Sequence, residues 1–155
     1  MFNKPIETWL AEYSESHQNK VNKFIHWICV PVIFWTLLAL LWQLRLPQSS
    51  YLNLATVLIV YGLFFYAHLS LRLMLGMLII SALSIALILW HERAVTLPLW
   101  KTAITLFIVA WIGQFIGHKV EGKRPSFFKD LQFLLIGPAW LMSFIYRRLG
   151  IRLNK

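Results

Sequence analysis

The chain has 155 residues, of which 59% are hydrophobic and 14% charged, with a mean hydropathy of +0.64; a soluble domain carries roughly 45–50% apolar residues, so an aqueous globular fold is excluded and one helical domain over residues 1–155, embedded in a lipid bilayer, is expected. The formal charge of +9 does not point to nucleic acid, because the basic residues sit in short segments between apolar runs, where Lys and Arg orient a membrane protein. Cys29 is the only cysteine, which excludes an intrachain disulfide and a thiolate zinc cluster.

Residues 1–26 are polar and mixed in charge. Within them Glu7, Trp9, Leu10, Ala11, Tyr13 and Glu15 predict a short amphipathic helix at the membrane interface, leading to His17. Lys4, Pro5, Glu7 and Glu12, placed before any apolar run, do not read as a signal peptide. A first span is expected over about 27–44, which carries no charge and is close to the roughly 20 residues a spanning helix needs. Pro31 would then fall near its first turn, where proline is tolerated.

Arg45, Pro47, Gln48, Ser49 and Ser50 predict a turn before a second span over about 51–69, interrupted only by His68. A tight hairpin at 70–72 leads to a third span over about 73–90, and His91, Glu92, Arg93 and Pro98 mark the next loop. The fourth span, about 102–117, is short and delivers the chain directly to His118. The last apolar run, 131–146, carries Gly137-Pro138 at its middle, a pair that breaks or kinks a helix.

Charge decides between four and five crossings. With four, the N-terminal segment, the Arg72 hairpin and everything after 117 share one side, leaving only Arg45, Arg93 and Lys101 on the other. A fifth crossing would carry Arg147, Arg148, Arg152 and Lys155 over and erase the asymmetry. The expectation is therefore an all-α, multi-pass transmembrane bundle of four spans, with 118–155 forming a C-terminal cytoplasmic segment that holds a re-entrant or interfacial helix. Both termini are expected on the cytoplasmic side, and the compact chain without a targeting extension points to a bacterial inner membrane.

That topology sorts the histidines. His17, His26, His68 and His118 fall toward one membrane face and His91 toward the other. Imidazole is the commonest protein ligand for first-row metals, and a nitrogen-and-oxygen donor set without thiolate suits non-haem iron with open positions. Glu121, three residues beyond His118, is the carboxylate in place to join such a set, or else to pair with a basic neighbour in its own loop. Asn22, four residues before His26, and Gln114, four before His118, are placed to hold the second ring nitrogens. His68 and His91 taken singly read as interfacial polar residues, Lys123 and Arg124 as cations facing anionic headgroups, and Trp27, Trp42, Trp90 and Trp100 as interface anchors. His17 and His26 are nine residues apart, nearly opposite on one continuous helix, so a break is expected near Asn19 to Asn22.

The stretch His17-Gln-Asn-Lys-Val-Asn22-Lys-Phe-Ile-His26-Trp-Ile-Cys-Val-Pro31 resembles the N-terminal signature of the membrane 2-hydroxy fatty acid dioxygenase family, which includes the fungal endoplasmic-reticulum enzyme and bacterial relatives. Gln114-Phe-Ile-Gly-His118 with Glu121 and Arg124-Pro125 is similar to its second signature. The resemblance covers most of the chain, with Cys29 standing where the family usually has glycine, a change for helix packing rather than chemistry. It implies an Fe(II)-dependent enzyme that shortens a 2-hydroxy fatty acid by one carbon, with O2 as co-substrate and the carboxyl carbon released as carbon dioxide. His17, His26 and His118 become the implied metal ligands or catalytic histidines, with Glu121 after them. Lys123 or Arg124 would attract the substrate carboxylate, and the acyl chain would lie between the helices. The competing reading is a non-catalytic membrane protein that binds lipid or acts as a scaffold, its histidines merely interfacial.

Overall fold

The computed structural model describes residues 4–46, 52–122 and 134–153. Its described residues form six helices: α1 (Ile6–Glu15), α2 (Lys20–Trp42), α3 (Leu54–Leu69), α4 (Leu71–Ala94), α5 (Leu99–Glu121) and α6 (Ile136–Arg148). The all-helical expectation holds, and α2, α4 and α5 are each long and apolar enough to cross a membrane. The fourth apolar helix, α3, has 16 residues, a rise of about 24 Å against a hydrocarbon core of about 30 Å.

Several boundaries differ from the hydropathy reading, for one recurring reason: backbone hydrogen bonding carries a helix past the end of its apolar run. The second helix begins at Lys20, where the Asn19 side chain accepts from the Val21 N–H at 2.8 Å. His26 is thereby inside the helix rather than ahead of it, and Pro31 is well inside too, not in the first turn. Its missing N–H leaves the Trp27 carbonyl without the usual donor. His91, Glu92 and Arg93 belong to the last turn of α4 rather than to a loop. The fifth helix extends three residues before and four residues after the 102–117 run, so its 23 residues are not short.

Ser70 alone makes the expected tight turn between α3 and α4. It donates its N–H to the Tyr66 carbonyl at 2.8 Å and accepts from the Leu73 N–H at 3.4 Å, ending one helix and starting the next. Gly137 and Pro138 do not kink a helix at its middle. They sit in the first turn of α6, where a proline has no intrahelical donor to lose. Of the 131–146 run, 131–133 lie outside the described residues, as do 47–50 of the predicted turn and residue 51 at the start of the predicted second span.

The outer faces are apolar: Val60 and Phe64 on α3, Leu75 and Leu83 on α4, and Ile108 and Ile112 on α5 are all exposed. Such surfaces suit hydrocarbon rather than water. The first half of α6 is buried instead, with Trp140 fully enclosed. Three hydrogen bonds fix this helix at the end of the bundle that carries the α3–α4 turn: Tyr66 Oη to the Leu135 carbonyl (2.6 Å), Tyr146 Oη to the Arg72 carbonyl (2.6 Å) and Trp140 Nε1 to Ser14 Oγ (2.8 Å). Gly76 on α4 leaves the space that the Tyr146 hydroxyl and the Met142 methyl fill. The N-terminal helix, the α3–α4 turn and the C-terminal helix therefore meet at one end.

Candidate metal centre

The centre is built where α1 stops. After Glu15 the chain turns through Ser16 to Asn19 before α2 begins, so the helix break falls at the Asn19 edge of the expected interval, with Asn22 already helical. The break lets His17 fold back against His26, which a continuous helix would forbid. The fifth helix runs alongside α2 and brings His118 to the same place. The imidazole centroids of His17 and His26 are 4.2 Å apart, those of His26 and His118 5.1 Å, and those of His17 and His118 5.4 Å. Their exposures are 1%, 0% and 4%.

The approach of α5 to α2 depends on two glycines four residues apart. A Cβ at Gly117 would collide with Asn22 Oδ1 and stand 3.5 Å from His26 Cε1; one at Gly113 would come within 2.7 Å of the Cys29 sulfur. Small residues at this spacing allow membrane helices to pack closely. Cys29 thus acts in packing, against the glycine of the facing helix.

Two of the rings are oriented by backbone carbonyls one turn earlier. His17 Nδ1 lies 2.6 Å from the Tyr13 carbonyl and His26 Nδ1 lies 2.9 Å from the Asn22 carbonyl. A carbonyl only accepts, so Nδ1 carries the hydrogen in both rings and Nε2 keeps its lone pair. This is the tautomer in which a histidine ligates a metal, with its outer nitrogen held by a hydrogen bond. Asn22, expected to steady His26, does so through its carbonyl rather than its side chain.

One donor atom from each of the three histidines lies within 4.8 Å of the others. Around a single ion bound at about 2.1 Å, such nitrogens stand roughly 3–3.5 Å apart, within reach of small ring rotations. His26 Nε2 is buried with no hydrogen-bond partner among the described residues; leaving an acceptor so costs about 1–3 kcal/mol, which a bound cation would offset. An all-nitrogen face of three imidazoles also suits a first-row metal. The residues present therefore fit a metal ion held by three imidazole nitrogens.

Other expected site residues fall in different places. Glu121 has both carboxylate oxygens engaged: it accepts from the Gln18 N–H (2.8 Å), the Asn19 N–H (2.9 Å) and Asn22 Nδ2 (3.0 Å). Gln114 is buried one turn before His118 and lines a largely apolar cavity of about 30 Å³ together with Tyr13, Trp111 and Gly137. His68 is exposed, its Nδ1 bonded to the Phe64 carbonyl at 2.9 Å. His91 is buried, its Nε2 2.9 Å from Thr102 Oγ1 on α5. Lys123 and Arg124 lie outside the described residues.

Sequence reasoning missed the walls of the site. The Tyr13 ring stacks on His17 at 4.2 Å and 9°, and Trp140 of α6 packs at 5.2 Å from the same imidazole. The four-residue spacing of Tyr13 and His17 was a readable signal, as was that of Gly113 and Gly117; nothing local to Trp140 announces its contact. A groove of about 520 Å³ also runs between α2 and α6, lined by the apolar side chains of Trp27, Phe144, Ile145 and Leu149 and by Arg148.

A helical bundle with membrane-type outer surfaces and a three-histidine cluster at one end is the class that fold and site define. Residues 3–149 match the model of the 2-hydroxy-palmitic acid dioxygenase Mpo1-like family, and the chain belongs to that family. It is 34% identical over 149 residues to the 2-hydroxy-palmitic acid dioxygenase MPO1 of Saccharomyces cerevisiae, an alignment covering 94% of this chain and 82% of that protein. No solved structure matches it significantly.

Proposed function

We propose that this chain is an Fe(II)-dependent dioxygenase of 2-hydroxy fatty acids, converting a 2-hydroxy acid and O2 into the acid one carbon shorter, carbon dioxide and water. The single observation that carries the reading is the buried cluster of His17, His26 and His118, whose donor atoms converge within 4.8 Å. The name of the yeast relative supports the substrate class. When bound, iron would supply the means of activating O2 and a Lewis acid for the hydroxyl and carboxylate of the substrate.

The chain's own residues do the rest. The carbonyls of Tyr13 and Asn22 keep the His17 and His26 lone pairs directed inward. Tyr13 and Trp140 wall the cluster with aromatic surface and exclude water from it. The α2–α6 groove takes the alkyl chain, its lining apolar except for Arg148, which suits an anionic amphiphile. Lys123 and Arg124, a few residues beyond His118 in the chain, steer the carboxylate.

In this reading α3 completes a four-span bundle by tilting little or thinning the bilayer locally. The histidine end and both termini face the cytoplasm, in a bacterial inner membrane.

The test is iron content and 2-hydroxypalmitate turnover of anaerobically purified protein, with His17→Ala, His26→Ala and His118→Ala alongside. Each variant is expected to lose at least ten-fold in both iron content and turnover, since no fourth histidine lies in the cluster. Wild-type protein that holds no iron, or a His118→Ala variant turning over at the wild-type rate, overturns the proposal.

A further inference from the structure

The three segments that carry the histidines share one fastener. His17 lies in the α1–α2 connection next to Gln18; His26 lies one turn beyond Asn22; His118 lies three residues before Glu121. The Glu121 carboxylate accepts from the Gln18 and Asn19 N–H groups and from Asn22 Nδ2, at 2.8, 2.9 and 3.0 Å. Asn22 Nδ2 also reaches back to the Ser16 carbonyl at 3.1 Å, on the other flank of His17. One anionic side chain on α5 thus joins the His17 connection, the first turns of α2 and the helix that carries His118.

We propose that Glu121 is a positioning residue of the histidine centre, setting its metal affinity by clamping the His17 connection and α2 to the end of α5 rather than by ligating the metal. The inference rests on the metal reading of the centre and deepens it.

The physical case has three parts. Charge-assisted hydrogen bonds to a carboxylate are about twice as strong as neutral ones, and three converge here. The carboxylate also sits at the N-terminus of α2, where the unsatisfied N–H groups and the helix dipole favour negative charge. Finally, its oxygens are directed at those donors and not at the imidazoles, and the compact ligand cluster consists of the three histidines without it. Glycine at 117 and the clamp at 121 then act together: one lets the helices approach, the other fixes their register.

Glu121→Gln separates these roles, because it keeps the shape while removing the charge and turning an N–H group toward N–H donors. Co(II) titration of the detergent-solubilised full chain gives two independent readouts, the dissociation constant and the ligand-field absorption spectrum. Glu121→Gln is expected to weaken Co(II) binding about ten- to a hundred-fold, as loss of supporting interactions does at other metal sites, with band positions unchanged because the ligand set is unchanged. Glu121→Asp, which keeps the charge but shortens the reach, is expected to recover part of the affinity. Glu12→Gln, at an α1 carboxylate that pairs with Lys4 ahead of that helix, is expected to bind like wild type. Helical circular dichroism identifies any variant that fails to fold, and the Asp variant then supplies the comparison. Unchanged affinity in Glu121→Gln overturns the positioning role alone. A shift of the ligand-field bands overturns it in favour of direct ligation. Wild-type protein that takes up no Co(II) overturns the metal reading, and this inference with it.

Discussion

Adding one methyl group at Gly117 tests the packing account with the least chemical change. A Cβ there meets Asn22 Oδ1 inside van der Waals contact and lies 3.5 Å from His26 Cε1. Asn22 is fully buried and its amide nitrogen is bonded to Ser16 and Glu121, so it has no free direction in which to retreat. The helices must part by roughly 1 Å, and overpacking of that kind costs about 1–3 kcal/mol. Alanine's better helix propensity returns up to about 1 kcal/mol, leaving a net loss of up to about 2 kcal/mol and a Tm lower by up to about 8 °C. The same displacement separates His118 from His26, so Co(II) affinity falls as well.

Gly62→Ala is the control: it adds the same methyl to a helix of the same bundle, where the nearest neighbours are 3.7 Å away. It is expected to leave Tm unchanged or raise it slightly and to leave Co(II) binding intact. Thermal unfolding in detergent micelles and Co(II) titration of the two variants decide the matter. A Gly117→Ala protein that matches wild type in both, or a Gly62→Ala protein that loses as much, would refute the close-approach argument.

Two further outcomes follow from the site. Trp140→Ala removes a fully buried indole and is expected to cost about 3–5 kcal/mol, whereas Trp140→Phe keeps most of the packing against His17 and loses chiefly the bond to Ser14, about 0.5–1.5 kcal/mol; urea titration of both ranks them. Metal bound only by the folded chain stabilises it by about 2.7 kcal/mol at a hundred-fold excess over Kd, so Co(II) should raise Tm by about 5–11 °C, EDTA should reverse the gain, and His118→Ala should show none.

Much of this protein was legible in the chain itself, because a bilayer leaves helices as the economical answer to long uncharged runs, and those runs are one-dimensional features. The three histidines were legible for a related reason: their spacings to Asn22, Pro31, Gln114 and Glu121 form signatures that survive without coordinates. Helix ends were less so. Lys20 to His26 and Lys119 to Glu121 are polar by composition but helical by capping and hydrogen bonding, which hydropathy does not register.

What the tertiary structure alone decided is the division of labour among those residues. Only the fold shows that the His17 connection bends back, that a glycine pair lets α5 press against α2, and that Trp140 arrives from the far end of the chain to close the wall. It also shows Glu121 facing the start of α2. A side chain's partner is set by which helices meet and in what register, and a local signal such as the Gly113–Gly117 spacing marks a close approach without saying which helix makes it.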